Sequence, residues 1–361
     1  HPVTEAITGL DLVEWQLRVA GGEKLGFEQP DLTPNGHAVE VRLYAEDPAR
    51  GFLPQIGTVT RFDVPEGEGL RVDAGVRAGD AVTPFYDPMI AKLIAYGPSR
   101  DAAISRLSDM LAGTTLTGLN GNLNFLRRVI DHEAFRHAEL DTRFIERHEA
   151  ALLGNEGAPP PSVLIAAGLA VSGLQASDDG PWAADGWLLN LNRRMPISFV
   201  AGDETYMLAL TISGDHLTAD IVGTTYSVTA FAANALGWSF TLDGLGQSVA
   251  VDRSGDVLTV RNPATGRWFD LTWQNLLALP QTEAAAAGGL TAPMPGKVTS
   301  VIAKAGAALK AGDPILVLEA MKMEHVIKAP TDGTITDLPF AEGDQVEEGV
   351  SLVGFEAVEA G

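Results

Sequence analysis

Residues 319–324 read Glu-Ala-Met-Lys-Met-Glu, and the apolar run Ile315-Leu316-Val317-Leu318 leads directly into them. The run has the length and branching of a buried strand, so Lys322 sits where that strand must turn. A Pro-Met-Pro-Gly turn (residues 293–296) lies upstream, and Ala329-Pro330-Thr331-Asp332-Gly333 answers it downstream. The two stretches belong to one pattern written twice. Ala292, Pro293, Gly296, Val298, Gly306, Leu309, Gly312, Leu316 and Glu319 recur 37 positions later as Ala329, Pro330, Gly333, Ile335, Gly343, Val346, Gly349, Val353 and Glu356. A short internal repeat with Gly and Pro in register and alternating apolar residues predicts two similar sheets related by a pseudo-two-fold. Lys322 falls on the hairpin between the halves and is expected to project into solvent. A lysine at a turn tip is by itself most often only a solvated charge, but a flexible four-carbon stem ending in an amine can also be acylated.

Ala320-Met321-Lys322-Met323 resembles the biotin attachment sequence of biotinyl domains. Lipoyl domains share the duplicated fold but usually have Asp-Lys-Ala-like neighbours, so the methionines favour biotin. The resemblance implies biotin on Lys322, with Ala320, Met321 and Met323 forming the cofactor-binding motif, and a biotin protein ligase as a partner.

Composition limits the alternatives. A chain of 361 residues holds two or three domains. Cysteine is absent, which excludes disulfides, thiolate catalysis and Cys-based zinc sites. A net charge of −22 disfavours nucleic acid and anionic membrane surfaces as partners. The longest apolar run, Val163 to Leu174, is too short to span a membrane. No secretory leader is visible, and His1-Pro2-Val3-Thr4-Glu5 reads as mid-domain sequence.

In chain order, Leu10, Val13, Leu17 and Ala20 share one helical face, and Gly21-Gly22 stop that helix. Val39, Val41 and Leu43 alternate with Glu40, Arg42 and Tyr44, the period of a strand with one polar face. Short strands are expected near Thr58–Val64 and Leu70–Asp73, and an apolar strand after Tyr86-Asp87-Pro88. Ser99 caps a helix with inner face Ile104, Leu107 and Leu111. Further helices are expected over Leu123–Ile130 and Phe144–Leu153. Residues 1–153 thus form an α+β lobe.

That lobe is similar to the C-terminal part of ATP-grasp biotin carboxylases. The similarity rests on His1-Pro2-Val3-Thr4-Glu5 with Ile7-Thr8-Gly9, Gly36-His37-Ala38, Arg42 with Ala45-Glu46-Asp47-Pro48, and Tyr86-Asp87-Pro88-Met89-Ile90-Ala91-Lys92-Leu93. It implies that Arg42 is catalytic, lining the bicarbonate and biotin pocket as an anion clamp that stabilises charge on the ureido oxygen. The spacing alone favours a strand arginine paired with Glu40 or Glu46 on a solvated face; the resemblance reverses that preference. In that family the phosphate loop, nucleotide lysines, metal-binding carboxylates and catalytic Glu lie upstream of the His-Pro-Val-Thr-Glu segment. The chain therefore reads as the C-terminal portion of a larger subunit, inactive alone. ATP and Mg or Mn would serve the complete subunit.

Residues 154–161 form a linker. An Ala-rich helix over Val163–Gln175 and nine β-like stretches follow: Trp187–Leu191, Ile197–Val200, Thr205–Ile212, His216–Val222, Thr225–Ala230, Trp238–Leu242, Gln247–Val251, Val257–Arg261 and Arg267–Thr272. One helix and about eight antiparallel strands predict a β-barrel packed around the helix. This resembles the mediating domain of two-subunit acyl-CoA carboxylases. Residues 282–290 form a tether. Two histidine features carry no chemistry. His132-Glu133 and His137 are spaced five apart rather than four, so their rings diverge on a helix; His325 is expected to be a hairpin contact.

The expected order is a carboxylase lobe (1–153), a mediating barrel (154–281), a tether (282–290) and a biotinyl domain (291–358), with no carboxyltransferase between them. That arrangement resembles the biotin-bearing α subunits of methylcrotonoyl-, propionyl- and geranyl-CoA carboxylases. The segment Met323 to Pro330 and residues 14–24 resemble the first of these most. The resemblance implies a hetero-oligomer with a carboxyltransferase β subunit that binds the acyl-CoA. It also implies bicarbonate as co-substrate, and a location in the bacterial cytoplasm or the mitochondrial matrix. A non-catalytic biotinyl or lipoyl carrier and docking module is the alternative from another class.

Overall fold

The computed structural model describes residues 1–153, 157–174, 192–202, 204–213, 216–274, 289–292, 295–320, 323–347 and 349–357. The N-terminal lobe is built on an antiparallel sheet in the order His37–Tyr44, Met89–Gly97, Leu70–Ala74. Alternation in the first strand buries Val39, Val41 and Leu43 on one face and leaves Glu40, Arg42 and Tyr44 on the other. Helices Arg100–Gly113 and Leu123–Asp131 cover the buried face with Ile104, Leu107, Leu111, Leu126 and Ile130. Ser99 caps the first of these by accepting from the Ala102 N–H. Helix Pro2–Thr8 lies against His37–Tyr44 and Met89–Gly97, and Glu5 is held by Arg71 at 2.7 Å.

Two local expectations are revised. Helix Leu12–Ala20 forms, but its apolar stripe is not buried among the described residues: Val13 is 60% exposed and Leu17 71%. Its local support is an Asp11 cap on Glu14 N and the Arg18–Glu14 pair. The expected helix over Phe144–Leu153 is broken into Phe144–Arg147 and Glu149–Leu152. His148 has non-helical dihedrals between the two turns, and its ring packs on Phe144 and His132.

Eight antiparallel strands, from Arg193–Ala201 to Trp268–Gln274, close into a barrel. The expected stretch Trp187–Leu191 lies outside the described residues; the other eight stretches are the barrel strands. Closure comes from Phe199 opposite Trp273 and Val200 opposite Thr272. Helix Pro161–Val171 is buried on every side from Val163 to Leu169 and shares one core with Phe199, Leu208, Leu210, Phe240 and Leu271. A helix with no polar face is stable only when surrounded, and an eight-stranded barrel has an interior that side chains can fill. Gly168 is where the wall comes closest, because a Cβ there would collide with Leu208 Cδ2.

The barrel is joined to the lobe by a built contact. Trp268 packs into the lobe's core rather than the barrel's, and its Nε1 donates to Thr114 O at 3.2 Å. Asn124 donates to Trp268 O at 3.0 Å. Arg127 reaches Thr265 O, and Arg261 donates to Ala112 O.

The C-terminal domain is two four-stranded sheets, ordered Gly289–Thr291, Ser351–Ala357, Gly333–Asp337, Ala308–Leu309 and Met323–Lys328, Pro314–Ala320, Gly296–Val301, Gln345–Val346. The predicted pseudo-two-fold appears bond by bond. Gly306 N donates to Ile335 O and Gly343 N to Val298 O, both at 2.8 Å. Gly312 N donates to Ala329 O and Gly349 N to Ala292 O. Each of these pairs maps onto the other by the 37-residue shift. Gly296 and Gly333 recur because a Cβ at either would meet the carbonyl of Glu319 or Glu356, which are themselves repeat mates.

Candidate functional sites on the hairpin and the lobe face

Strand Pro314–Ala320 pairs with Met323–Lys328 until Ala320 faces Met323. Two residues of sequence, Met321 and Lys322, separate these partners. Both lie outside the described residues, as does the Met323 side chain. Ala320 is buried, 3.4 Å from the position a Cβ on Gly296 would take, so its small side chain serves close packing under the hairpin. The pairing of Ala320 with Met323 fixes the two strand ends between which Lys322 falls in sequence.

His325 stands opposite Leu318 on the inward face of the same hairpin. Its Nε2 is buried and has no hydrogen-bond partner among the described residues. Burial lowers its pKa from 6.5, which keeps the ring neutral at physiological pH. The unfolded chain binds the proton more readily, so stability from neutral His325 is present above pH 6.5 and is lost as pH falls through the lower folded value. The C-terminal domain is expected to lose thermal stability over that window, and His325→Leu to flatten the dependence in a melting series from pH 8 to pH 5. An unaltered slope would remove His325 as its source.

On the lobe, Arg42 stands on the polar face of its strand, 58% exposed at the side chain. Across the sheet it is paired with Lys92, which in turn faces Asp73. A side-chain interaction with Tyr44, and then Glu40, raises the Arg42 pKa and holds it charged. Glu40 lies 3.7 Å away, a loose contact between a half-exposed guanidinium and a carboxylate that contributes little. Glu46 does not pair with Arg42. Its carboxylate accepts from Asn122 Nδ2 at 2.8 Å, and burial raises its pKa, with Asp87 adding to the shift. Two cations side by side on a sheet repel each other, and an anion placed over Arg42 and Lys92 would relieve that repulsion. In the sequence Lys92 is only one position of an apolar strand. Cross-strand register, invisible in sequence, brings it beside Arg42.

The five-residue spacing of His132 and His137 has a structural outcome. His132 Nδ1 accepts from Ala134 N at 3.2 Å as a helix cap, and among the described residues no three His, Asp or Glu side chains gather as metal ligands.

Residues 40–147 match the family described as biotin carboxylase C-terminal domain, and residues 289–355 match the biotin-requiring enzyme family. Residues 1–28 match the carbamoyl-phosphate synthase L chain ATP binding domain. The whole chain aligns, at 34% identity over 381 positions, with 52% of the mitochondrial methylcrotonoyl-CoA carboxylase subunit alpha of Mus musculus. Over its whole length the chain is similar to the α subunits of biotin-dependent acyl-CoA carboxylases. The propionyl-CoA carboxylase alpha chain of Ruegeria pomeroyi is another such α subunit, 30% identical over 99% of this chain and 56% of its own. The biotin carboxylase domain of a thermophilic 2-oxoglutarate carboxylase is 41% identical over 42% of this chain and 34% of its own, with a TM-score of 0.42. The chain spans about half the length of the α subunits it matches. No helix among the described residues is long and apolar enough to cross a membrane.

Proposed function

We propose that this chain is the biotin-carrying part of a subunit that uses ATP and bicarbonate to carboxylate biotin on Lys322. The carboxyl group is then delivered to 3-methylcrotonoyl-CoA on a partner carboxyltransferase β subunit. One observation carries the reading. A lysine motif lies between strand ends paired at Ala320 and Met323, at the centre of a duplicated sandwich, in the same chain as the Arg42 lobe. The residue fits a covalently held biotin, since the Lys322 side chain ends in an amine that can be acylated and falls in sequence between strand ends paired at Ala320 and Met323. When bound, biotin supplies a ureido nitrogen that can carry a carboxyl group.

The rest falls to the chain's own residues. Arg42, kept charged by its neighbours, and Lys92 hold an anion over the sheet face, and the Arg42 guanidinium stabilises negative charge developing on the acceptor oxygen. Activation of bicarbonate with ATP and Mg or Mn is read as the work of the complete subunit. The barrel, hydrogen-bonded to the lobe, is read as the mediating domain that docks the β subunit. Of the expected tether 282–290, Gly289 and Leu290 belong instead to strand Gly289–Thr291, paired with Gly354 and Val353; the rest lies outside the described residues and is read as the linker. Biotin protein ligase is the partner that loads Lys322. The location is the cytoplasm in a bacterium or the mitochondrial matrix in a eukaryote.

The test is fixation of labelled bicarbonate by the full-length subunit co-purified with its carboxyltransferase, with 3-methylcrotonoyl-, propionyl- and geranyl-CoA offered side by side. The methylcrotonoyl thioester is the expected substrate. Preference for propionyl-CoA, the reading favoured by the propionyl-CoA carboxylase similarity, would move the substrate and keep the biotin chemistry. No fixation with any thioester, alongside retention on avidin, would favour a non-catalytic carrier.

A further inference from the structure

Asn122 has a hydrogen-bonding arrangement that its own helix does not explain. It is the N-cap of Leu123–Asp131, yet its side chain makes no capping bond there, although asparagine is among the best residues for that task. It is 3% exposed and reaches instead across to the strand that bears Arg42. That strand is an edge of its sheet, and its pairing with Met89–Gly97 shifts register between Leu43 and Tyr44, where Tyr44 meets Met89. An edge strand presents backbone groups with no strand partner, and Asn122 meets three of them. Its Oδ1 accepts from Tyr44 N at 3.0 Å, its backbone N donates to Tyr44 O at 3.1 Å, and its Nδ2 donates to Arg42 O at 3.2 Å. The second Nδ2 hydrogen goes to Glu46 Oε1 at 2.8 Å. Both amide donors are used, and the orientation is fixed because the Arg42 carbonyl only accepts. Gly121 permits the approach: a Cβ there would lie 3.2 Å from Tyr44 O and 2.7 Å from Leu116 Cδ2.

We infer that Asn122 is the positioning residue of the carboxylation site. One buried amide substitutes for a neighbouring strand and fixes the backbone on both sides of the Arg42 guanidinium, together with the Glu46 carboxylate. The inference rests on the reading of Arg42 as the anion clamp. Losing the amide leaves the Arg42 carbonyl and the Tyr44 N–H without these partners, and the strand end can relax by a fraction of an ångström. Displacements of about 1 Å at a reacting centre cost on the order of 100-fold in rate.

The experiment compares wild type, Arg42→Ala, Asn122→Ala and Asn122→Asp in the full-length subunit, with free biotin and bicarbonate as varied substrates. Asn122→Asp has the same shape and retains the acceptor for Tyr44 N but loses both donors, so it carries the test if Asn122→Ala does not fold. The expected result is a roughly tenfold rise in KM for biotin and bicarbonate and a roughly 100-fold fall in kcat/KM, with KM for ATP unchanged. A purely structural role lowers the active fraction and so reduces kcat without moving any KM. That pattern, or wild-type kinetics in Asn122→Asp beside an impaired Arg42→Ala, would overturn the inference. Wild-type kinetics in Arg42→Ala would instead overturn the assignment of Arg42 itself.

Discussion

Lys322→Arg is expected to abolish biotin attachment completely while leaving the sandwich intact. Arginine retains the charge and a similar stem, but its guanidinium stays protonated at any physiological pH and is a poor acyl acceptor, whereas an ammonium can lose its proton and attack. The sandwich is expected to keep its packing, because Lys322 falls between the paired ends Ala320 and Met323 and the core is formed by Val298, Leu316, Leu318, Ile335 and Val353. An avidin blot and intact mass of the protein purified from its host check this, with the thermal melt as control. The mass should lack the biotinyl increment and the melt should overlay wild type. An avidin-reactive Lys322→Arg protein would place the attachment elsewhere and sink the functional reading with it.

Trp268→Ala is expected to have the largest effect on stability. The indole is buried in the lobe although the barrel's last strand supplies it. Removing a buried Trp costs about 3–5 kcal/mol, and the Thr114 carbonyl loses the donor that held it at 3.2 Å. The two bonds between Asn124 and the Trp268 backbone, together with Arg261 to Ala112 O, would then carry the joint. Calorimetry should show the lobe and barrel transitions separating, the lobe melting first. Trp268→Phe keeps a six-membered ring but loses the N–H and the rest of the five-membered ring, so it should cost less than Trp268→Ala, about 1–3 kcal/mol. A loss under 1 kcal/mol in Trp268→Ala, with the transition shape unchanged, would show that the barrel is merely tethered to the lobe.

The joint also shows what could not be read from the chain. Trp268 lies in an ordinary strand pattern, Trp268-Phe269-Asp270-Leu271, and both of its first two residues are buried. Alternation tells that a residue faces inward or outward; it does not tell which domain's interior receives an outward one. The helix Leu12–Ala20 failed in the opposite sense, since its apolar stripe was legible but no described neighbour covers it. Asn122 was hidden for a third reason. Its helix-start position has a sufficient local explanation in sequence, and only the 78-residue separation of its bond to Tyr44 reveals the other use.

What the sequence by itself determined is the set of features with local causes. The 37-residue repeat, the glycines at its turns, the helix with no polar side and the barrel strands were all legible, because period, turn chemistry and apolar count act over a few residues. The Ala-Met-Lys-Met motif was legible for the same reason, being contiguous. What only the tertiary structure decided is the company each site residue keeps: Lys92 beside Arg42, Glu46 turned to Asn122 rather than Arg42, and Trp268 planted in the lobe. These follow from strand register and domain packing, which are set by the summed burial of many distant side chains and leave no mark at any one position.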